Sequence, residues 1–267
     1  MKKRVAALLM ALVMLVGLLP SAVWAEVAVT PVSTAAELAA LGGQQISGSY
    51  KLTADIDMTG QTMQPIKKFS NGTFDGQGHT ISGLTIAATS GNTGLFAETG
   101  SGAVIQGIVL QDANVSLSSG SYVGVGALVG KVSGATEIRD CGVSGSVSTS
   151  SSSALYVGGL VGYVYAKTTV DGCYGAASVT GGSYSSGKVG GLIGYTYSAA
   201  DVSNCYVTGE VTSKGAAAGA LGYFSTSSSN KVTLTNCYAA CDVGGSASYR
   251  YPFAYIYSNY LTATNCF

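Results

Sequence analysis

Few residues in this chain are equipped for acid–base chemistry. Asp55, Asp57 and Asp75 lie close in sequence to His79, the one histidine. Clustered carboxylates are what a polysaccharide hydrolase uses to protonate a leaving oxygen and activate a nucleophile, and a lyase adds a basic residue or a calcium ion. Asp55 and Asp57 are separated by a single position, so on a strand they would share a face. These three aspartates are therefore the catalytic candidates of an enzymatic reading. The competing reading gives them turn and ladder hydrogen bonds where the chain enters its repeats. One histidine excludes an H-E-x-x-H metalloprotease and any zinc site built from several imidazoles. The six cysteines include no C-x-x-C pair. No metal and no cofactor is expected.

The glycine-rich segments raise a second chemistry and then remove it. A phosphate-binding loop needs Gly, four residues, then Gly-Lys-Ser/Thr. In "GVGALVGKV" (124–132), Val125 holds the first glycine position and Val132 the Ser/Thr position. A dinucleotide fingerprint fails at Val129, which holds the third glycine position.

What remains is a surface rich in tyrosine, of which there are 17. Tyr174, Tyr206 and Tyr238 each follow a cysteine, and Tyr163, Tyr195, Tyr223 and Tyr255 each follow a glycine motif. The loops at 148–156, 180–188 and 208–216 are rich in Ser, Thr and Gly, a mixture that suits adaptable polar contacts around aromatic anchors. Aromatic rings also stack on sugars. Tyr174, Tyr206 and Tyr238 are the binding candidates, and the alternative is that they form ladders that only stabilise a sheet.

The elements that would position these groups follow from spacing. Cys141, Cys173, Cys205 and Cys237 recur at one constant interval, and Cys266 follows at a slightly shorter one. At a fixed offset before each cysteine stand Ile138, Val170, Val202, Leu234 and Ala263; at a fixed offset after the first four stand Val147, Val179, Val211 and Val243. The segments "VGALVGK", "VGGLVGY" and "VGGLIGY" keep the same period, with "AAGALGY" (217–223) as a weaker copy. A fixed period of this size marks a solenoid. The apolar clusters are short, Val-rich and bounded by Gly, Ser, Asn and Asp, so each repeat is several strands joined by turns. A parallel β-helix of about seven rungs, roughly 30–35 Å long at the strand spacing, satisfies all of this. Each repeated position becomes a column. The cysteine column, with Ile108 standing in at an earlier rung, faces in; in-register parallel strands do not present their Cβ atoms in the preferred disulfide geometry, which favours stacked free thiols over the alternative of a chain of bridges. Cys241 shares a small-residue slot with Gly145, Ala177 and Gly209. Asn204, Asn236 and Asn265 form an Asn ladder at a turn.

The N-terminus reads as an export signal over residues 1–25: "MKKR", an apolar run, then Val23 and Ala25 before a cleavage site. Residues 26–32 read as a linker. "STAAELAAL" (33–41) reads as a short capping helix, with Thr34 and Glu37 forming a capping box. Basic and acidic residues number 13 each, and cleavage would remove Lys2, Lys3 and Arg4, leaving a slightly acidic chain. That composition argues against a nucleic-acid partner, and no span crosses the membrane in the mature chain. The final segment, "TNCF", shows no cap, which motivates self-association through the C-terminal rung.

Gly159-Leu160-Val161-Gly162 and Gly191-Leu192-Ile193-Gly194, each followed by an I/V-x-x-C strand, resemble the GLUG motif, and the segment "YKLTADIDMTGQTMQPI" resembles the start of such repeat proteins. The resemblance covers roughly residues 33–267. It implies a right-handed parallel β-helix of bacterial surface proteins; related repeats accompany the peptidase domain of streptococcal immunoglobulin A proteases. It also implies export and display without implying an activity. There are departures, since Ala127 replaces the first motif glycine and "YRYPFAYIY" is a degraded copy. The expectation is an exported, non-catalytic β-solenoid that serves as a surface scaffold or adhesion module, secreted or on the cell surface, toward a glycan or host-protein partner. A polysaccharide-active enzyme and a self-assembling rod are the alternatives.

Overall fold

The computed structural model describes residues 28–153, 155–183, 185, 187–225, 230–246, 249–254 and 260–267. The export signal expected at 1–25 and Tyr255 lie outside the described residues.

One repeat shows how the chain builds a rung. Tyr156–Gly158 forms a strand, Gly159 and Leu160 turn the chain, and Val161–Val164 forms the next strand. Thr168–Asp171 follows, then a tight turn at Gly172 and Cys173, then the longer strand Tyr174–Thr180. A loop returns the chain to Lys188–Gly190, directly above its starting point. Equivalent strands stack in parallel into sheets of nine, eight, seven and five strands. The register is the cysteine interval itself, as in Ile138 against Val170 and Val129 against Val161. The architecture is a parallel β-solenoid.

Because the register is in phase, like residues stack on like. Phe74, Ile105, Ile138, Val170, Val202 and Leu234 form one fully buried column. Ile86, Val115, Val147, Val179 and Val211 form another. At roughly 1.5–3 kcal/mol for each large apolar side chain fully buried, these columns supply the driving force that the turns oppose. The residue before each cysteine position takes a left-handed conformation: φ is 50° at Asp140, 53° at Asn204, 54° at Asn236 and 52° at Asn265, with Gly172 and Gly107 completing the column. Asn, Asp and Gly are the residues that reach this region at least cost, so a single turn geometry selects all six.

The front of the solenoid differs. Ala35–Ala40 is a helix whose Thr34 hydroxyl accepts from the Glu37 amide while Glu37 accepts from the Thr34 amide, the expected capping box. Leu38 is fully buried on the core. The stretch read as a linker is not one in its described part: Val29–Val32 is a strand paired in parallel with Ser49–Leu52 and begins the nine-stranded sheet. Val-Thr-Pro-Val is a short run that contains a proline, too brief a signal to separate from a tail. Among the described residues, no helix is long and apolar enough to cross a membrane.

Candidate functional site

Asp57 and Asp75 are each hydrogen-bonded within their own turn, whereas Asp55 reaches across to the next rung. The Asp55 carboxylate accepts from the Thr80 amide at 2.9 Å and lies 3.1 Å from His79 Nδ1. Those contacts, the amide foremost, hold its pKa below the ordinary value. Asp57 accepts from the Thr59 amide at 2.8 Å and is likewise lowered by hydrogen bonds from Thr59. Asp75 accepts from the amide and side chain of Gln77. A general acid needs a raised pKa, and the shifts resolved at Asp55 and Asp57 run the other way. Among the described residues, no three His, Cys, Asp or Glu side chains are placed to hold a metal ion.

The glycine motif is a contact between backbones. A Cβ on Gly159 would lie 2.1 Å from the Gly191 carbonyl oxygen, and one on Gly162 would lie 2.2 Å from the Val125 nitrogen. Gly191 and Gly194 repeat this one rung later, 2.2 Å from the Gly219 carbonyl oxygen and 2.6 Å from the Val157 nitrogen. The five- and seven-stranded sheets thus meet along a seam with no room for side chains. Leu160 and Val161 are both fully buried. Leu192, one rung on from Leu160, and Leu221, two rungs on from Val161, line the same internal void beside Cys205 and Cys237.

Cys141, Cys173, Cys205 and Cys237 are buried free thiols. Each donates to the carbonyl of the second residue before it, at 3.1, 3.3, 3.0 and 3.4 Å in turn. Hydrogen bonding along the column, then burial, pushes the Cys205 thiol up to about 12 and raises Cys173 and Cys237 as well. These are packing groups without nucleophilic character, since the thiolate is the reactive form. Cys241 does share the slot of Gly145, Ala177 and Gly209.

The tyrosines that follow the cysteines face outward. Tyr174 and Tyr206 stack with centroids 5.2 Å apart and planes 8° from parallel, and Tyr238 is the register partner of Tyr206. Tyr206 and Tyr238 are 46% and 51% exposed. The column starts at Gly142, over which the Tyr174 ring is laid.

A second aromatic face is broader than the glycine motif foretold. Tyr163, Tyr195 and Tyr223 form one column of the seven-stranded sheet. Tyr156 reaches it from the five-stranded sheet, 4.8 Å from Tyr163 and 4.5 Å from Tyr195. Beside them Tyr165 and Tyr197 stack at 5.5 Å with planes 6° apart, both nearly half exposed. The pair was legible, since both tyrosines hold the third place after a motif glycine and so keep the repeat interval. Lys131 lies over Tyr165 and Tyr163, and Lys188 over Tyr223. Asp171 accepts from Ser203 at 2.7 Å and Asn204 at 2.8 Å, and these bonds lower its pKa. The Asn ladder continues from there, Asn236 donating to Asn204 and Asn265 to Asn236, each at 3.1 Å.

Comparison with known proteins agrees with this geometry. The GLUG motif family matches residues 185–212. Halomucin of Haloquadratum walsbyi (strain DSM 16790 / HBSQ001) is 36% identical over 95 residues, which are 30% of this chain and 1% of that protein. Among solved structures, a Bacteroides ovatus protein described as an immunoglobulin A1 protease superposes with a TM-score of 0.69 at 20% identity, over 88% of this chain and 74% of that one. A second, described as an IgA1 protease, gives 0.53 at 17% identity, over 89% of this chain and 21% of that one. At these identities the likeness is one of fold. The chain is a parallel β-solenoid that carries a GLUG motif over residues 185–212.

Proposed function

We propose that this chain is an exported, non-catalytic binding module that presents repeated tyrosine columns on the outside of a cell. The observation that carries the reading is the outward stack of Tyr174, Tyr206 and Tyr238, with chemically equivalent side chains on successive rungs. Aromatic residues exposed in contiguous arrays are what binding surfaces are enriched in. Export is supported by the basic and apolar character of residues 1–25. The reading is supported further by Asp55, Asp57 and Asp75, each of which accepts a backbone amide hydrogen bond, and by the lowered pKa of Asp55 and Asp57.

The partner is a glycan or a cell-surface protein. Probing glycan and host-protein arrays with the native chain and with a Tyr206→Ser/Tyr238→Ser variant tests the proposal. Captures that the variant loses support it, whereas arrays without hits, or hits that the variant keeps, count against this column as the contact. The enzymatic alternative is addressed by incubating the chain with a polysaccharide panel and with immunoglobulin A1, the latter because of the names of the structurally similar proteins. Product formation abolished by Asp55→Asn or Asp57→Asn would overturn the non-catalytic reading.

A further inference from the structure

The second aromatic face has a chemistry that its residue types conceal. A tyrosine ring is negative on its faces and positive at its edge. Here the faces are turned toward one another along the rod: Tyr163 on Tyr195 at 5.3 Å, Tyr165 on Tyr197 at 5.5 Å, Tyr156 on Tyr195 at 4.5 Å. Within these three pairs the facing surfaces cover one another and are closed to a sugar, while Tyr163 meets Tyr165 edge to face. The stacked rings offer edges and phenolic hydroxyls, which are positive and donating. The ends of the stacks carry ammonium groups: Lys131 Nζ is 4.7 Å from the Tyr165 centroid and 5.5 Å from that of Tyr163, and Lys188 Nζ is 4.5 Å from that of Tyr223.

Among the described residues, no unpaired carboxylate offsets them within these columns. Along the Tyr163 column the nearest acid is Glu98, one rung before Lys131, and it already pairs with Lys68 at 3.1 Å. The column of Tyr156 continues through Lys188 and Ala216, and neither contributes an acid. The phenols stay protonated: burial pushes Tyr156 up to about 12 and raises Tyr163 and Tyr195 too. The face therefore carries protonated phenols that recur at the strand spacing of about 4.8 Å, with one cation in each of two adjoining columns.

We infer that this face binds a linear polysaccharide carrying carboxylates, with Lys131 and Lys188 pairing to uronate groups and the tyrosine edges donating to ring and hydroxyl oxygens. A polymer with a short regular repeat can run along successive rungs, and its anionic groups complement two columns in which Lys131 shares its neighbouring acid, Glu98, with Lys68, and Lys188 is flanked by Tyr156 and Ala216. The inference rests on the binding-module reading and deepens it for a face distinct from the Tyr174 column.

Immobilised polygalacturonate, with its fully methyl-esterified form as the neutral control, tests it. The native chain is expected to bind the acid form at least tenfold more tightly than the ester, with affinity falling as salt rises. Lys131→Gln/Lys188→Gln should weaken binding about tenfold and flatten the salt dependence; Tyr165→Ser/Tyr197→Ser should weaken it at unchanged salt dependence. Thermal unfolding of each variant, unchanged from the native chain, shows that the fold is intact. Equal affinity for acid and ester, or variants that bind like the native chain, would overturn the inference. So would failure to retain the folded native chain on the polymer, and array captures that depend on Tyr206 would then leave the broader reading standing. Depolymerisation of the polygalacturonate would instead remove the broader reading.

Discussion

The first rungs and the later rungs solve the same packing problem with opposite placements of aromatic residues. At the front, Phe69, Phe74 and Phe96 are fully buried and touch edge to face or tilted, with centroids 5.3–6.2 Å apart. From about residue 124 onward the interior is mostly Val, Leu, Cys and small residues, and the tyrosines stand outside in columns. The front turns fill their interior with aromatic rings, while the later turns, closed on one side by a glycine seam, fill theirs with smaller side chains. The difference shows that in a solenoid the interior decides stability and the exterior is left free to be repeated for another purpose.

Substitutions can break or sharpen that contrast. Phe74→Ala should cost about 3–5 kcal/mol in urea unfolding, since it empties the middle of the front cluster; Tyr206→Ala in the outer column should cost no more than about 1 kcal/mol. If the two losses were equal, the division of labour would be wrong. Gly162→Ala puts a methyl group against the Val125 backbone, and a loss of about 1–3 kcal/mol is expected because neither neighbour is a flexible side chain that can step aside. Thr196→Val should have the reverse sign. Thr196 is buried in the column Thr99, Val132, Val164, Thr196, Phe224; unlike Thr99, which bonds Thr136, its hydroxyl has no hydrogen-bond partner, so the variant should gain about 1 kcal/mol.

The smallest effect concerns acid. Asp55, Asp57 and Asp171 have folded-state pKa values below the ordinary 3.8, so they bind protons less readily folded than unfolded. The stability they contribute is fully present above that ordinary value and is lost as pH falls through their lowered values. Asp171→Asn should therefore show a shallower loss of thermal stability between about pH 5 and about pH 2 than the native chain.

The later rungs were legible because their columns are periodic. Ile138, Val170, Val202, Leu234 and the cysteines each recur at a fixed offset, and a parallel stack turns that offset directly into contact. The front was not legible in the same way. Its rungs have unequal lengths, the step from Phe74 to its register partner Ile105 being shorter than the step from Ile105 to Ile138, so no single period aligns Phe69, Phe74 and Phe96. Val29–Val32 shows the same limit, since a strand added at the edge has no earlier copy to match. At the surface, the outward direction of Tyr174, Tyr206 and Tyr238 followed from strand alternation against an inward cysteine. Of the two Asp171 contacts, the one with Ser203 lies on the repeat interval and the one with Asn204 lies one position off it. The mutual closure of the ring faces needed three dimensions, as it depends on torsions that spacing does not encode.

The Asn ladder has one further property. Every amide in it donates in the same sense: Asn265 to Asn236, Asn236 to Asn204, Asn204 to the carboxylate of Asp171. Hydrogen bonds arranged head to tail polarise one another, so their dipoles add along the rod instead of cancelling. The solenoid is thus a vector with a negative terminus fixed at Asp171, and each rung that continues the ladder lengthens the dipole chain that stabilises that charge.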